Sequence, residues 1–290
     1  MPRCAKKVAV LVHACDRYQF LYKGFEYFFS KYWDFAIECN YYFATEILTA
    51  NIDGFQNIKS GEGAWSDRLA CLLTTEIEED YILYFQEDMW LDKKVDKAFF
   101  NELFELAPSK DWKQVKLHSA KIYHTEATGH YIQNLNVARV DKTVSDYLMS
   151  HQVTLWNREF LIKQLGKNEH PWRNERRATK RLRSDPNPIF HIDYFAENGS
   201  AEINRNKPQA ERSRYYTVSI NGILNAHIES FACELMQGNV VEKVYAKRLL
   251  FNFANQLTHD GQPKPRKVDF FKKIKLWLKR QAIFAKPKTL

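Results

Sequence analysis

The run Tyr81-Ile-Leu-Tyr-Phe85, followed at once by Gln86-Glu87-Asp88, constrains this chain more than any other feature. Five consecutive strand-forming side chains with no polar face make a strand covered on both sides. Such strands belong to parallel sheets sandwiched between helices. The switch to acids falls at the carboxyl end of the strand, the edge at which open α/β sheets bind ligands. Val8-Ala-Val-Leu-Val12 reads as a buried first strand of the same kind.

Around these two strands the pattern alternates. Apolar spacing predicts helices over Tyr18–Trp33, from Ser66 or Asp67 as cap to about Glu79, and over Lys94–Leu106. Further strands are expected at Phe35–Phe43, Val115–His118, Gln152–Trp156 and Ile189–Phe195, with helices at Arg158–Leu165 and Arg173–Arg183. Gly54–Gly63 reads as a loop, and Ile122–Val144 carries no clear period. Tyr215–Ile220 and Ile223–Phe231 read as strands, or as a strand and a helix. The expectation is an α/β, Rossmann-like domain over 1–259, a mostly parallel central sheet with flanking helices. Residues 260–290 stand apart as a basic amphipathic helical tail behind the Pro-rich linker Asp260–Pro265.

With 290 residues and 45% hydrophobic side chains the chain affords a large core, which excludes disorder of the whole. A net charge of +8 favours anionic partners. The five cysteines are scattered singly with no CxxC pair, which points to free thiols in a reducing compartment. No stretch approaches the roughly 20 apolar residues that span a bilayer, and Val8–Val12 is too short for a signal peptide. The expected location is cytoplasmic.

Four constellations carry chemistry. Glu87 and Asp88 are adjacent carboxylates in an electropositive protein, suited to a divalent cation such as Mn2+ or Mg2+, since both take oxygen ligands. Alternatively they solvate a strand end. The turn His13-Ala-Cys-Asp16-Arg17 follows the first strand, and its Asp16 suits either a ligand hydroxyl or the cap of the next helix. Asp67 and Arg68 stand at a helix start, where Arg68 suits a phosphate or a surface ion pair. Glu169 and Glu175 flank Trp172 and supply candidate proton acceptors, or simple helix-start acids. His227, in Asn225-Ala-His227, is a lone histidine.

In order and spacing these stretches, with Trp65-Ser-Asp-Arg68, Ser150-His-Gln-Val-Thr-Leu-Trp156 and Glu169-His-Pro-Trp-Arg-Asn-Glu175, resemble GT-A-type glycosyltransferases over roughly Lys7–Phe231. The likeness is to a group of bacterial or viral polysaccharide and lipopolysaccharide enzymes. It implies a nucleotide-sugar donor contacted by His13, Asp16, Arg17, Asp67, Arg68, Gln86 and Glu87. It also implies a metal held by Asp88, Glu87 and His227, and a catalytic base at Glu175 or Glu169. Trp156 and Trp172 would meet the acceptor or the sugar. Gln86 occupies the first position of the acidic triplet, so this chain offers fewer carboxylates than the family pattern.

The tail places Phe270, Phe271, Ile274, Trp277 and Leu278 on one helical face with lysines elsewhere, the signature of a helix lying on an anionic membrane. A partner-binding helix, or one packed on the domain, has the same pattern. The expected partners are therefore a nucleotide-sugar, a glycan or lipid-linked acceptor, and the inner membrane face, with no nucleic acid. A non-catalytic nucleic-acid-binding protein would explain the basic charge but not the acids at a strand end. A nucleotidyltransferase shares the sheet and metal logic, but the Gly-rich, Lys-containing loop expected after its first strand is missing.

Overall fold

The computed structural model describes residues 7–197, 212–259 and 261–263. Both expected buried strands form. Strands β1 (Val8–His13) and β4 (Tyr81–Phe85) lie side by side and parallel, every residue of both buried. Alternate side chains of β1 feed different cores: Val8, Val10 and Val12 enter a large aromatic-rich cluster, while Ala9 and Leu11 enter a smaller one. That two-sided burial is why neither strand has a polar face.

A short 3-10 turn (Asp16–Tyr18) leads from β1 into α1 (Gln19–Tyr32). Next come β2 (Asn40–Thr45), β3 (Gln56–Lys59) and α2 (Trp65–Thr75). The strand expected from Phe35 begins only at Asn40, after a turn, and the expected loop over Gly54–Gly63 contains β3. Helix α2 starts at an uncapped Ala64. Ser66 and Asp67 lie inside its first turn, so neither is the cap the sequence implies. They accept the backbone N–H groups of Glu169 and Asn168 instead.

After β4 the acids form a tight turn into β5 (Met89–Leu91), a strand not expected from sequence. Helix α3 (Lys97–Ser109), capped by Asp96, leads to β6 (Gln114–His118). The unreadable middle is a hairpin, β7 (Thr125–Ile132) with β8 (Leu135–Val140). Then follow β9 (Thr154–Asn157), α4 (Arg158–Gln164), α5 (Pro171–Ser184) and β10 (Phe190–Glu197). Helix α5 starts two residues before the expected Arg173, with His170 as cap and Pro171 in its first turn, where a missing N–H costs nothing. The described chain closes with β11 (Ser213–Thr217), the small hairpin β12 (Ser219–Ile220) and β13 (Ile223–Leu224), α6 (Ile228–Leu235) and α7 (Val240–Ala254).

The main sheet runs β3-β2-β1-β4-β9-β6-β10-β11-β5, with the β7–β8 hairpin joined through β8 to β10. Strands β1 to β4 are parallel, and β6, β10 and β11 point the same way. Between them sits β9, antiparallel to both neighbours. The domain is thus the expected α/β type with a sheet more mixed than the sequence implies. From β1 the chain builds outward through β2 and β3, then returns to place β4 on the other side. That makes β1/β4 a topological switch point, where the loops leave in opposite directions and open a crevice.

No described helix is long and apolar enough to cross a membrane. The tail expected to lie on one, with Asp260, Lys264 and Pro265 of its linker, is outside the described residues.

Candidate functional site

Two turns meet at the switch point, one leaving β1 and one leaving β4. The turn Gln86-Glu87-Asp88 is closed by Met89 N–H donating to the Gln86 carbonyl, and the Trp90 indole N–H donates to the Glu87 carbonyl. Trp90 holds this turn from below. It packs on α1 at Gly24, where a Cβ would stand 2.0 Å from the indole ring. Glu87 is buried and Asp88 half-buried. Burial, then the neighbouring Asp88 charge, pushes the Glu87 carboxyl well above its ordinary range; the Cys15 N–H and Arg68 oppose this. Burial raises Asp88 to about 7. Neither carboxylate forms an ion pair among the described residues. Two desolvated, adjacent carboxyl groups without an ion-pair partner are groups that could hold a cation.

The β1 turn is locked by reciprocal bonds. Asp16 accepts backbone N–H groups from Glu46, Ile47 and Leu48 at 2.8, 2.8 and 2.9 Å, while Glu46 accepts the Asp16 N–H at 2.9 Å. Arg68 closes the lock from α2. It is 5% exposed, donates to Ser60 at 2.9 Å and pairs with Glu46 at 3.2 Å. Asp16 and Arg68 therefore reach the expected edge but are engaged with protein groups. Arg17 stays on the surface, over the Tyr18 ring.

Behind the acids lies a buried box. The His13 ring sits 5.7 Å from Trp65 and 6.4 Å from Tyr84, and His151 lies 4.3 Å from Trp65. Neither His13 ring nitrogen has a hydrogen-bond partner among the described residues. Burial, then the charges of Arg68 and His151, holds His13 well below its usual pKa, so its ring is neutral. Tyr22, whose hydroxyl is also buried without a partner, is raised by burial and then by the Glu87 charge.

The strands beyond β9 reach the same edge with cations and neutral rings. Lys116 on β6 is fully buried, its ammonium donating to Tyr123 (3.2 Å), the Tyr147 carbonyl (3.1 Å) and Ser150 (3.2 Å). His118 meets Tyr123 at 3.0 Å, and His191 Nε2 meets the His118 carbonyl at 2.8 Å. Burial, with the Lys116 charge, keeps His118 well below its ordinary value and His191 at about 4. Tyr215 donates to Gln152, tying β11 to the approach of β9.

The two candidate bases separate sharply. Glu169 is 1% exposed and bonded to Asn174 at 2.8 Å and Arg177 at 3.2 Å. Burial alone would raise its carboxyl, but those partners outweigh it and hold it low. Glu169 thus anchors α5. Glu175, six residues on and inside α5, accepts the His151 N–H at 3.0 Å through Oε1. Burial raises its pKa, opposed by the His151 N–H and Lys116, which suits a proton acceptor better.

Trp156 is 1% exposed inside the second core, where no ligand reaches it; the sequence expectation of a sugar contact there is corrected by burial. Trp172 is 60% exposed beside His170. His227 packs on Tyr216 at 4.5 Å, and its backbone N–H is taken by the Asn225 side chain. Among the described residues no three His, Cys, Asp or Glu side chains gather to hold a metal, so His227 does not complete a set with Glu87 and Asp88. The two acids fit an ion that draws its remaining ligands from substrate phosphates and water.

Sequence reasoning missed Glu46, Ser60, Tyr84, Lys116, Tyr123 and His118. Only His151 carried a signal, in the Ser150-His-Gln stretch.

No known protein family matches the sequence, and no curated protein does. Among solved structures the chain is similar to S. aureus TarS 1-349, at 13% identity and a TM-score of 0.45, over 96% of this chain and 78% of that one. For the same protein in complex with UDP-GlcNAc the identity is 12% and the TM-score 0.44, over 92% and 77%. A longer TarS chain is covered over 49% of its length. The UTP-bound UGPase from Acinetobacter baumannii matches at 7% identity and a TM-score of 0.44, over 84% and 98%.

Proposed function

We propose that this protein is a glycosyltransferase that uses a nucleotide-sugar donor. The observation that carries the reading is the place and state of Glu87 and Asp88: two adjacent, desolvated carboxyl groups without an ion-pair partner among the described residues, at the switch point between the parallel strands β1 and β4. Asp88 and Glu87 would hold Mn2+ or Mg2+, whose chemistry there is to neutralise charge growing on the donor's leaving phosphates. The β1 turn, held rigid by Asp16, Glu46 and Arg68, forms the donor wall, and the Arg17 guanidinium lies on its outer side. His13 and Tyr22 supply hydrogen-bonding atoms that the protein leaves unused.

On the other side of the edge, Glu175 is the proton acceptor for the incoming acceptor hydroxyl. Its Oε1 is occupied by the His151 N–H, which leaves Oε2 for that proton. A carboxyl raised by burial holds a proton more readily at neutral pH than an exposed one. The exposed Trp172 ring supplies an apolar platform at the start of α5. The acceptor is a glycan or a lipid-linked sugar of surface polysaccharide or lipopolysaccharide synthesis. The protein works at the inner membrane face, with the basic tail as its anchor.

A thermal-shift screen against UDP-, GDP-, CMP- and dTDP-sugars, with and without Mn2+, tests the reading. One nucleotide-sugar raises the melting point in proportion to the logarithm of its concentration, and more so with the metal. Failure of every donor to shift it, with or without Mn2+, would overturn the reading.

A further inference from the structure

Helix α7 is apolar on two opposite sides. Tyr245, Ala246 and Leu249 pack inward, as a helix of a folded domain should. On the outer side Val240 is 76% exposed, Val244 61% and Phe251 60%. At about 3.6 residues per turn these three fall on one line down the helix. Exposed Lys243 and Lys247 flank the line on one side, and exposed Arg248 and Val241 on the other. An apolar centre between cationic margins is the cross-section of a helix that lies in a lipid interface.

The face extends beyond the helix. Between α1 and α7 opens a cleft of about 800 Å3 whose lining includes Arg17, Lys23, Val241, Val244 and Arg248. Its one acid, Asp16, already accepts three backbone N–H groups. Glu242 on α7 is likewise consumed, in a capping box with Asn239. Past the other end, Ile220 at the tip of the β12–β13 hairpin is 61% exposed and borders a second groove with Phe253 and Ala254.

We propose that the outer face of α7, with the cleft beside it, docks on an anionic lipid bilayer. The charge selects this occupant. Residues 264–290 follow in sequence, but they are lysine-rich and so carry the same sign of charge as Lys243, Lys247 and Arg248. A second copy docking through the same patch would set like charges against each other. A polynucleotide answers the charge but leaves the valines uncovered. A lipid bilayer surface, anionic at its headgroups and apolar beneath, satisfies both. The Asp16–Arg17 turn lines the cleft and follows β1, whose parallel neighbour β4 ends just before Glu87. Docking therefore brings the acidic edge down to the lipid surface. That consequence for a lipid-linked acceptor rests on the proposed function; the docking itself does not.

Co-sedimentation of the full chain with phosphatidylglycerol vesicles, in the absence of nucleotide, tests it. The expected result is binding to these and far less to pure phosphatidylcholine. The double variant Val244→Asp/Phe251→Asp, at fully exposed-side positions that leave the inward packing intact, should weaken partitioning at least ~10-fold. Lys243→Gln and Lys247→Gln should each weaken it about 5-fold. Tyr131→Asp, on the β7 hairpin, should change nothing. Wild-type binding by the double variant, or equal binding to neutral vesicles, would overturn the proposal. Neither result bears on donor binding, so the two readings fail separately.

Discussion

The strands on the two sides of β9 deliver opposite chemistry to one edge. On the β1–β4 side the edge holds Glu87, Asp88, Asp16 and Glu46 against a single buried arginine, Arg68. On the β6–β10 side it holds a buried Lys116 and the neutral rings of His118 and His191. The acid-rich half has few cations to balance it, and burial raises the pKa of both Glu87 and Asp88. The other half excludes added positive charge, since each ring already feels the Lys116 ammonium. One edge thus divides into a side rich in carboxyl groups and a side built on a buried ammonium and neutral rings.

The strongest way to break this contrast is Asp88→Asn. It should abolish metal-dependent donor affinity and lower transfer by roughly 1,000-fold, while Glu87→Gln, set deeper, has a smaller effect. Calorimetry with and without Mn2+ reads both. Undiminished transfer by the Asp88 variant would remove the functional reason for the acidic half.

Next in size, Glu175→Gln should retain donor binding and lose about 100-fold in turnover. Glu169→Gln should instead lower stability, because it leaves Arg177 and Arg181 without their buried partner. Unfolding midpoints measured beside kcat separate the two, and equal kinetic loss in both variants would show the division of labour to be wrong.

The pattern of sequence against structure follows physical lines. The strands β1 and β4 and helix α1 were legible because their burial imposes an unbroken period. Strand β3 was not: Gln56-Asn-Ile-Lys59 buries only Ile58. Strand β7 is largely exposed, so it has no apolar rhythm. Helix α7 escaped notice for the opposite reason, since apolar residues on both sides erase the helical period. The position of Glu87 and Asp88 just past the end of a strand was readable because a strand and its turn are local. The lock of Asp16, Glu46, Ser60 and Arg68 was not, as four separate segments supply it. Trp156 misled because a large ring beside polar neighbours carries no mark of the side it faces.

A third prediction sharpens the contrast through pH. His13 and His118 are held well below their usual pKa, His151 at about 3 and His191 at about 4. The unfolded chain takes up these protons near pH 6.5 and the folded chain does not. The histidine contribution to stability is therefore full above about pH 6.5 and falls as the pH drops toward 4, by about 1.4 kcal/mol per pH unit for each histidine. The raised carboxyls of Glu87, Asp88 and Glu175 act in the opposite sense over the same window. Urea midpoints across pH 4–7 measure the slope, and His191→Asn should flatten it.

The smallest effect concerns the support beneath the acids. Gly24→Ala drives a methyl group into Trp90 and should cost about 1–3 kcal/mol. Thermal melting detects the loss, and an unchanged midpoint would show that β5 yields without strain.

The placement of β9 has a consequence during synthesis. Strand β4 is complete once Phe85 is made, yet the strand that covers its outer edge begins at Thr154. A nascent chain therefore carries an apolar strand with an open row of peptide groups while some seventy further residues are added. Such an edge is a template for intermolecular pairing. Ribosome-bound chains ending before Asn157 are expected to be the species that chaperones hold, and chains ending after it the first to let go.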